Sequence, residues 1–284
     1  MAAVTDGNRI AQEAVSRHNP RIVAAAKLHR AAHRRKTGLF LAEGANAVTA
    51  ALATGRVREV FYSAAAAERE HELVASVAAR GVRATLVDDR AAEHLGETVT
   101  APGLVAVCEQ IDVPLAEVLG GDPRLLAVPV EIAEPGNAGT LIRVADAVGA
   151  DGVVLAGSTV DPHNGKCVRA SAGSLFHVPI ARGREIEPTL TAVREAGLTL
   201  LASAADGEVD LDEADDILAG PVAWLFGNEA HGLDPAVAAL ADHRVRIPIH
   251  GRAESLNLAA AAAICLYASA RVRHRARGSD PVRR

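Results

Sequence analysis

The sequence predicts an α/β protein of two domains, the second built on a parallel sheet covered on both faces. Three observations predict it. The chain has 284 residues, which at about 100–200 residues per domain makes two. Short apolar runs without strict polar alternation recur between stretches of helical periodicity. A Pro- and Gly-rich stretch, IDVPLAEVLGGDPR (111–124), divides two such series.

Residues 1–15 are polar and are expected as a flexible arm. From Ser16 to Lys36 the chain is rich in base: Arg17, Arg21, Lys27, Arg30, Arg34, Arg35 and Lys36, with three histidines. No acid occurs between Glu13 and Glu43. Ile22, Val23, Ala26 and Leu28 give this segment a helical apolar stripe. Its charges suit either a solvated helix face or contact with phosphates, and a run of one sign in a chain of net charge −5 keeps the second open. FLAEG (40–44) follows, then a helix through 46–53 and a strand, REVFYS (58–63). EREHELVASVAARG (68–81) is a helix stopped by Gly81, and VRATLVDD (82–89) is a strand. AAEHLGE (91–97) is a short helix and GLVAVCEQ (103–110) a strand. Residues 16–110 are therefore one alternating α/β domain, and 111–123, with Pro114, Gly120, Gly121 and Pro123, a linker.

The second domain, 124–273, alternates again. Strand LLAVPVEI (125–132) leads through loop AEPGNAG to helix TLIRVADAVG (140–149). GVVLAG (152–157) is a strand, KCVRASAGSLF (166–176) a helix, and HVPIAR (177–182) a strand. EPTLTAVREAG (187–197) is a helix and LTLLASAA (198–205) a strand. VAWLFG (222–227) is a strand before loop NEAHG and helix DPAVAALA (234–241). RVRIPI (244–249) is a strand, then come loop HGRAESLN and an apolar closing helix over 256–272. Residues 274–284 form a basic tail.

Bulk features narrow the function. Hydrophobic residues are 49% of the chain but aromatics only 2%, so the cores rest on Ala, Val, Leu and Ile. The acidic balance means nucleic-acid binding must use a local patch. Cys108, Cys167 and Cys265 stand far apart and form no zinc spacing, so no metal is expected. The start, MAAVTDGNRI, has no apolar signal region, and the closing helix has about 15 apolar residues where a membrane span needs about 20. A cytoplasmic, reduced chain without a membrane partner is expected. No GxGxxG, phosphate-loop or G-x-S-x-G pattern occurs.

Ligands on parallel sheets bind outside the carboxyl ends of the strands, where AEPGNAG, GNEAHG and HGRAESLN all fall. These loops offer Asn137 and the nearby Arg143, then Asn228, Glu229 and His231, then Glu254, Ser255 and Asn257. One guanidinium with carboxylates, amides and a hydroxyl suits a polar, partly anionic substrate and the orientation of a hydroxyl. Gly227, Gly232 and Gly251 permit close backbone approach. Each residue also has a plain role: Asn137, Ser255 and Asn257 as helix caps, Glu229 as a loop acid. Three such loops at one sheet edge favour a site, but they do not name a reaction.

EPGNAGTLIRVADAVGADGVVL (134–155), LFGNEAHGL (225–233) and RIPIHGRAESLNLAAAAAICLY (246–267) resemble, in order and spacing, the three signature motifs of the SpoU (TrmH-type) RNA 2′-O-ribose methyltransferases of the SPOUT superfamily. KTGLFLAEG (36–44) and REVFYS, with the basic segment before them, resemble that family's N-terminal RNA-binding domain, which is similar to ribosomal protein L30e. The match spans about 16–272, and within the family it is most similar to the thiostrepton-resistance-type branch. It departs at Glu134, where the first motif usually opens with Asp.

The resemblance implies a C-terminal trefoil-knotted SPOUT domain with a parallel sheet, plus an N-terminal L30e-like α/β RNA-binding domain. It implies S-adenosylmethionine as methyl donor, held at Leu225, Gly227, Ile247, Ile249 and Leu256. Asn137, Arg143, Glu229, Ser255 and Asn257 are the implied catalytic residues, and Arg17, Arg30, Arg34, Arg35, Lys36 and Arg169 the implied RNA contacts. The implied partners are rRNA and a second copy of the chain, met through the knotted domain. A tRNA 2′-O-methyltransferase of the same family, a base methyltransferase and a catalytically silent RNA-binding protein are the alternatives weighed against this expectation.

Overall fold

Two sheets carry the chain, and a computed structural model describes them through residues 13–98 and 101–278. Most of the expected N-terminal arm and the end of the basic tail lie outside the described residues.

The basic segment is two short helices, not one. Asn19 caps α1 (Pro20–Ala26) by accepting the Arg21 N–H at 2.9 Å, and Pro20 takes its first turn. A 3₁₀ turn at Lys27–His29 breaks the helix, and α2 (Ala31–Thr37) resumes it. The break frees the carbonyls of Leu28 and His29, and Arg34 Nη1 donates to both at 2.9 Å. β1 (Leu39–Glu43), α3 (Ala45–Ala53), β2 (Val57–Tyr62), α4 (Ala64–Arg69) and α5 (His71–Ala79) follow. β3 (Arg83–Leu86), α6 (Asp89–Leu95) and β4 (Leu104–Glu109) complete the unit. The sheet order is β1-β4-β2-β3, with β4 antiparallel to both neighbours and β2 parallel to β3.

The stretch expected as a linker is packed. It holds α7 (Leu115–Leu119), buries Val118, and donates the Val113 N–H to the Ile180 carbonyl at 2.9 Å. The second unit then runs β5 (Leu125–Pro129), α8 (Pro135–Ala147), β6 (Gly152–Ala156), α9 (Gly165–Ser171), β7 (Ile180–Gly183), α10 (Ile186–Glu195) and β8 (Thr199–Ser203). It closes with β9 (Val209–Asp210), α11 (Asp215–Leu218), β10 (Val222–Phe226), α12 (Pro235–Ala238), β11 (His243–Arg246) and α13 (Leu258–Gly278). Every pair in its sheet is parallel, in the order β7-β6-β5-β10-β8-β11-β9. β5, β6 and β10 are buried along their whole length, as continuous apolar runs require. Chain connections diverge from β5 and β10 to opposite sides of the sheet, which opens a crevice beyond their carboxyl ends.

α13 is anchored by the one tryptophan. Trp224 is fully buried, and its Nε1 donates to Ser269 Oγ at 2.8 Å. One face of α13 buries Ala259, Ala262, Cys265, Leu266 and Ser269; Ile264 and Tyr267 stay 41% and 66% exposed on the other. Among the described residues no helix is long and apolar enough to cross a membrane.

The two units share a core and a buried ion network. Phe40 of β1 lies 4.6 Å from the His163 ring and 5.9 Å from Phe176, centroid to centroid. Arg34 reaches Asp161 with Nε at 2.9 Å and Nη2 at 2.8 Å, and Arg182 joins Asp161 at 2.6 Å and Asp112 at 3.1 Å. His163 Nε2 accepts the Ile111 N–H. Burial opposes the charge on Asp161, yet His163, Arg34 and Arg182 outweigh it and hold the carboxyl far below the ordinary range. A second bridge joins Glu97 to His29 Nδ1 at 3.1 Å and Arg169 Nη1 at 2.9 Å, and Arg169 also meets Glu43 at 3.2 Å.

Two of the expected RNA contacts take part in these bridges. Arg34 is only 2% exposed, and its guanidinium is spent on Asp161 and two carbonyls. Arg169 is clamped by Glu43 and Glu97. Arg17, Arg30, Arg35 and Lys36 are exposed and form no ion pair among the described residues.

Candidate active site

The stretch expected as the loop AEPGNAG is largely the first turn of α8. Glu134 is its N-cap, with Oε1 accepting the Gly136 N–H at 3.2 Å, and Pro135 is the first helical residue. Asn137 and Arg143 therefore stand on a rigid helix. α8 lies so close on α9 that a Cβ on Gly139 would sit 2.3 Å from the Cys167 carbonyl oxygen.

Glu229, in the loop after β10, ties the site together. Its Oε2 accepts the Ala133 N–H at 3.2 Å, and its Oε1 accepts the Glu134 N–H and Asn137 Nδ2, both at 3.1 Å. Asn137 Oδ1 in turn accepts from Asn257 Nδ2 at 3.3 Å. Asn257 Oδ1 accepts the N–H groups of Ala259 and Ala260, so the same side chain caps α13 and faces the site. Burial raises the Glu229 carboxyl, but its own backbone N–H, Asn137, Ala133 and Glu134 outweigh that and hold it below the ordinary range. It is an ionised, oriented group.

Beside this chain of bonds opens a cavity of about 270 Å³. Gly227, Glu229, Ile247, Ile249, Ser255 and Leu256 line it. A Cβ on Gly227 would fall 2.1 Å from the Gly232 carbonyl carbon, so only glycine lets the strand pass the folded-back NEAHG loop. That fold is held by Asn228, whose Nδ2 donates to the Glu131 carbonyl at 2.9 Å and whose Oδ1 accepts the Ala230 N–H. Ile249 and Leu256 are 38% and 39% exposed, apolar surface a bound molecule would cover. An adjoining cavity of about 530 Å³ shares Ser203, Ala204, Ala205 and Gly232. Apolar walls, small residues and one lining carboxylate suit a partly apolar, cationic ligand such as S-adenosylmethionine.

The structure therefore brings Asn137, Glu229 and Asn257 into one bonded chain, and Gly227, Ile247, Ile249, Ser255 and Leu256 around one cavity. Arg143 is exposed on α8, six residues beyond Asn137. Leu225, also expected at the cofactor, is placed apart from this cavity. It is fully buried inside β10 and paired with Val128 and Ala202 on its two sides, so it does not reach the cavity. Ser203, Ala204 and Ala205 escaped the sequence reading, although LTLLASAA ends at the same carboxyl edge that marked the other loops. Lys166 also escaped it; its Nζ lies 2.6 Å from Glu134 Oε1. A larger cavity, about 740 Å³, opens on the N-terminal sheet, where Arg21 is paired with Glu59, and lies apart from these groups. Among the described residues no cluster of three or more His, Cys, Asp or Glu is placed to hold a metal ion.

Comparison with known proteins gives this geometry its family. Residues 19–106 match the MRM3-like substrate binding domain. The chain is 33% identical to the 23S rRNA (guanosine(2553)-2′-O)-methyltransferase RlmP of Bacillus subtilis, over 85% of this chain and 92% of that one. It is 36% identical to the 23S rRNA (uridine(2479)-2′-O)-methyltransferase of Streptomyces viridochromogenes, over 84% and 85%. An AdoMet-bound rRNA methyltransferase from Sinorhizobium meliloti superposes with a TM-score of 0.79 at 33% identity, covering 91% of this chain and 97% of that one. The SpoU methyltransferase AviRb from Streptomyces viridochromogenes, in complex with AdoMet, does so with a TM-score of 0.79 at 31% identity, over 90% and 100%. Residues 124–267 match the SpoU rRNA Methylase family, half of the chain, and with these relatives along most of its length the chain belongs to that family.

Proposed function

We propose that the chain is an S-adenosylmethionine-dependent RNA ribose-2′-O-methyltransferase acting on large-subunit rRNA, in the cytoplasm, as a homodimer. The observation that carries this is the bonded chain Glu229–Asn137–Asn257 beside the cavity at Gly227, Ile247 and Leu256. The relatives' names and their AdoMet-bound structures support the substrate and the donor.

S-adenosylmethionine bound in the cavity supplies a methyl group on a sulfonium sulfur. The residues of the chain supply alignment. Glu229 is taken up by three N–H donors, so it orients Asn137 and braces the helix start rather than removing a proton. Arg143 orients the ribose 2′-hydroxyl and its adjacent phosphate; a guanidinium with a pKa above about 12 is a poor proton acceptor. Ser255 and Asn257 position the ribose at the cavity mouth. Most of the rate comes from proximity and alignment.

In this reading residues 16–110 are an L30e-like RNA-binding domain. Residues 124–273 are a trefoil-knotted domain reached through 111–123, and α13 continues past 273 to Gly278. Return of α13 against α8 and β5, after the chain has passed to β11 beyond β8, supports a threaded C-terminus. Arg17, Arg30, Arg35 and Lys36 are the remaining RNA contacts. Exposed Ile264 and Tyr267 on α13 support a dimer face.

Arg143→Ala is the test. It is expected to keep S-adenosylmethionine affinity by calorimetry and to lose methyl transfer by about a hundredfold or more, as removal of a transition-state contact does. An rRNA with a 2′-deoxy nucleotide at the acceptor position should bind and accept no methyl. Near-native transfer by the variant, or methylation of the deoxy RNA, would make a base atom the acceptor.

A further inference from the structure

We propose that Lys166 positions the RNA: Glu134 holds it in the free protein and yields it to a backbone phosphate beside the target ribose. This rests on the 2′-O reading above.

Lys166 Nζ lies 2.6 Å from Glu134 Oε1, and the two side chains are 60% and 46% exposed. Each stays reachable from solvent. An ion pair this exposed is weak, so exchanging a carboxylate for a phosphate costs little. The place is set by packing. The neighbouring Cys167 is wedged against Gly139, and a Cβ on Gly136 would meet Lys166 Cε at 3.5 Å. The ammonium stem therefore crosses the first turn of α8. Gly136, Gly139 and Arg143 are three, four and seven residues apart, one stripe of that helix. Lys166 stands at its N-terminal end and Arg143 about 10 Å along the axis. Of the three cations on α8 and α9, Arg169 is clamped by Glu43 and Glu97, leaving these two for an anion.

Glu134 gives the arrangement its control. One oxygen, Oε1, both caps Gly136 N–H and meets Lys166. An Asp there would cap as well, but its carboxylate is one methylene shorter and would sit farther from where Lys166 Nζ now lies. The longer acid at the opening of the first motif therefore stores the lysine without changing the charge of the site.

The experiment measures binding of protein-free 23S rRNA by the full chain across a salt series. Lys166→Ala is expected to weaken binding about fivefold and to lower the log–log salt slope by about one. Lys166→Arg should restore both, and S-adenosylmethionine affinity should be the same in each, which excludes a folding defect. Glu134→Asp frees the lysine and should tighten binding two- to threefold, and should have no effect when Lys166 is already Ala. Wild-type affinity and slope in Lys166→Ala would overturn the proposal. So would a Glu134→Asp effect that persists without Lys166. A wild-type chain that binds this RNA but methylates a base overturns the 2′-O reading and leaves the binding result for Lys166 standing.

Discussion

Glu229 meets Ala133, Glu134 and Asn137 across more than ninety positions of sequence, and through Asn137 it also reaches Asn257. One carboxylate thus fixes the relative placement of all three carboxyl-edge loops. Gly227 makes that possible by letting the loop fold back on its own strand. Gly227→Ala is expected to destabilise the fold by about 1–3 kcal/mol in chemical denaturation, because its clash is with backbone that cannot step aside. Cofactor affinity should fall with it. At this scale the polar site was legible: Asn137, Glu229, Ser255 and Asn257 are small polar residues at strand ends, and a sheet-edge rule finds them. The partners of Arg34 and Arg169 were not. They stand 127 and 126 positions away, and nothing local to either arginine names a carboxylate so far along the chain.

Most strands and helices followed from apolar periodicity, while boundaries failed where side chains compete for the backbone. The basic helix breaks at Lys27–His29, and Arg34 takes the carbonyls the break leaves free. Antiparallel pairing of β4 is set by tertiary contact, and the two-residue β9 is too short to carry a pattern. The same helix pair holds the units together. Arg34→Ala leaves Asp161 buried beside a lost partner and is expected to cost about 3–5 kcal/mol in urea unfolding. Arg35→Glu should leave stability within about 0.5 kcal/mol and weaken RNA binding instead. Acid should act as Arg34→Ala does. Glu97 titrates at about 2 in the folded chain, against an ordinary 4.5, because His29 and Arg169 hold its charge. A depressed carboxylate stabilises fully above pH 4.5, and that contribution is lost as pH falls towards 2; Asp161 shifts with the same sign. Denaturation midpoints taken from pH 6 to pH 3 should therefore fall, and fall less in Arg34→Ala.

On the scale of the molecule, α13 faces two ways. Its buried side seats on β10 and α8, and its other side offers Ile264, Tyr267 and Arg271 to solvent. Light scattering at micromolar concentration should give twice the chain mass, and Tyr267→Glu should shift it towards one; an unchanged single-chain mass in the wild type would remove this face as an interface. The two-unit α/β plan was visible in the sequence, but the fusion of the units through a shared core and buried charges was not, since periodicity speaks only for each element alone. Trp224 turns one detail of that core into an instrument. It is the one indole in the chain, fully buried, with its N–H committed to Ser269 on the last helix. Its emission is therefore an optical signal of whether the C-terminal helix is seated, free of any contribution from an indole in the N-terminal unit, and a blue shift in refolding or stopped-flow traces times the docking of the tail itself.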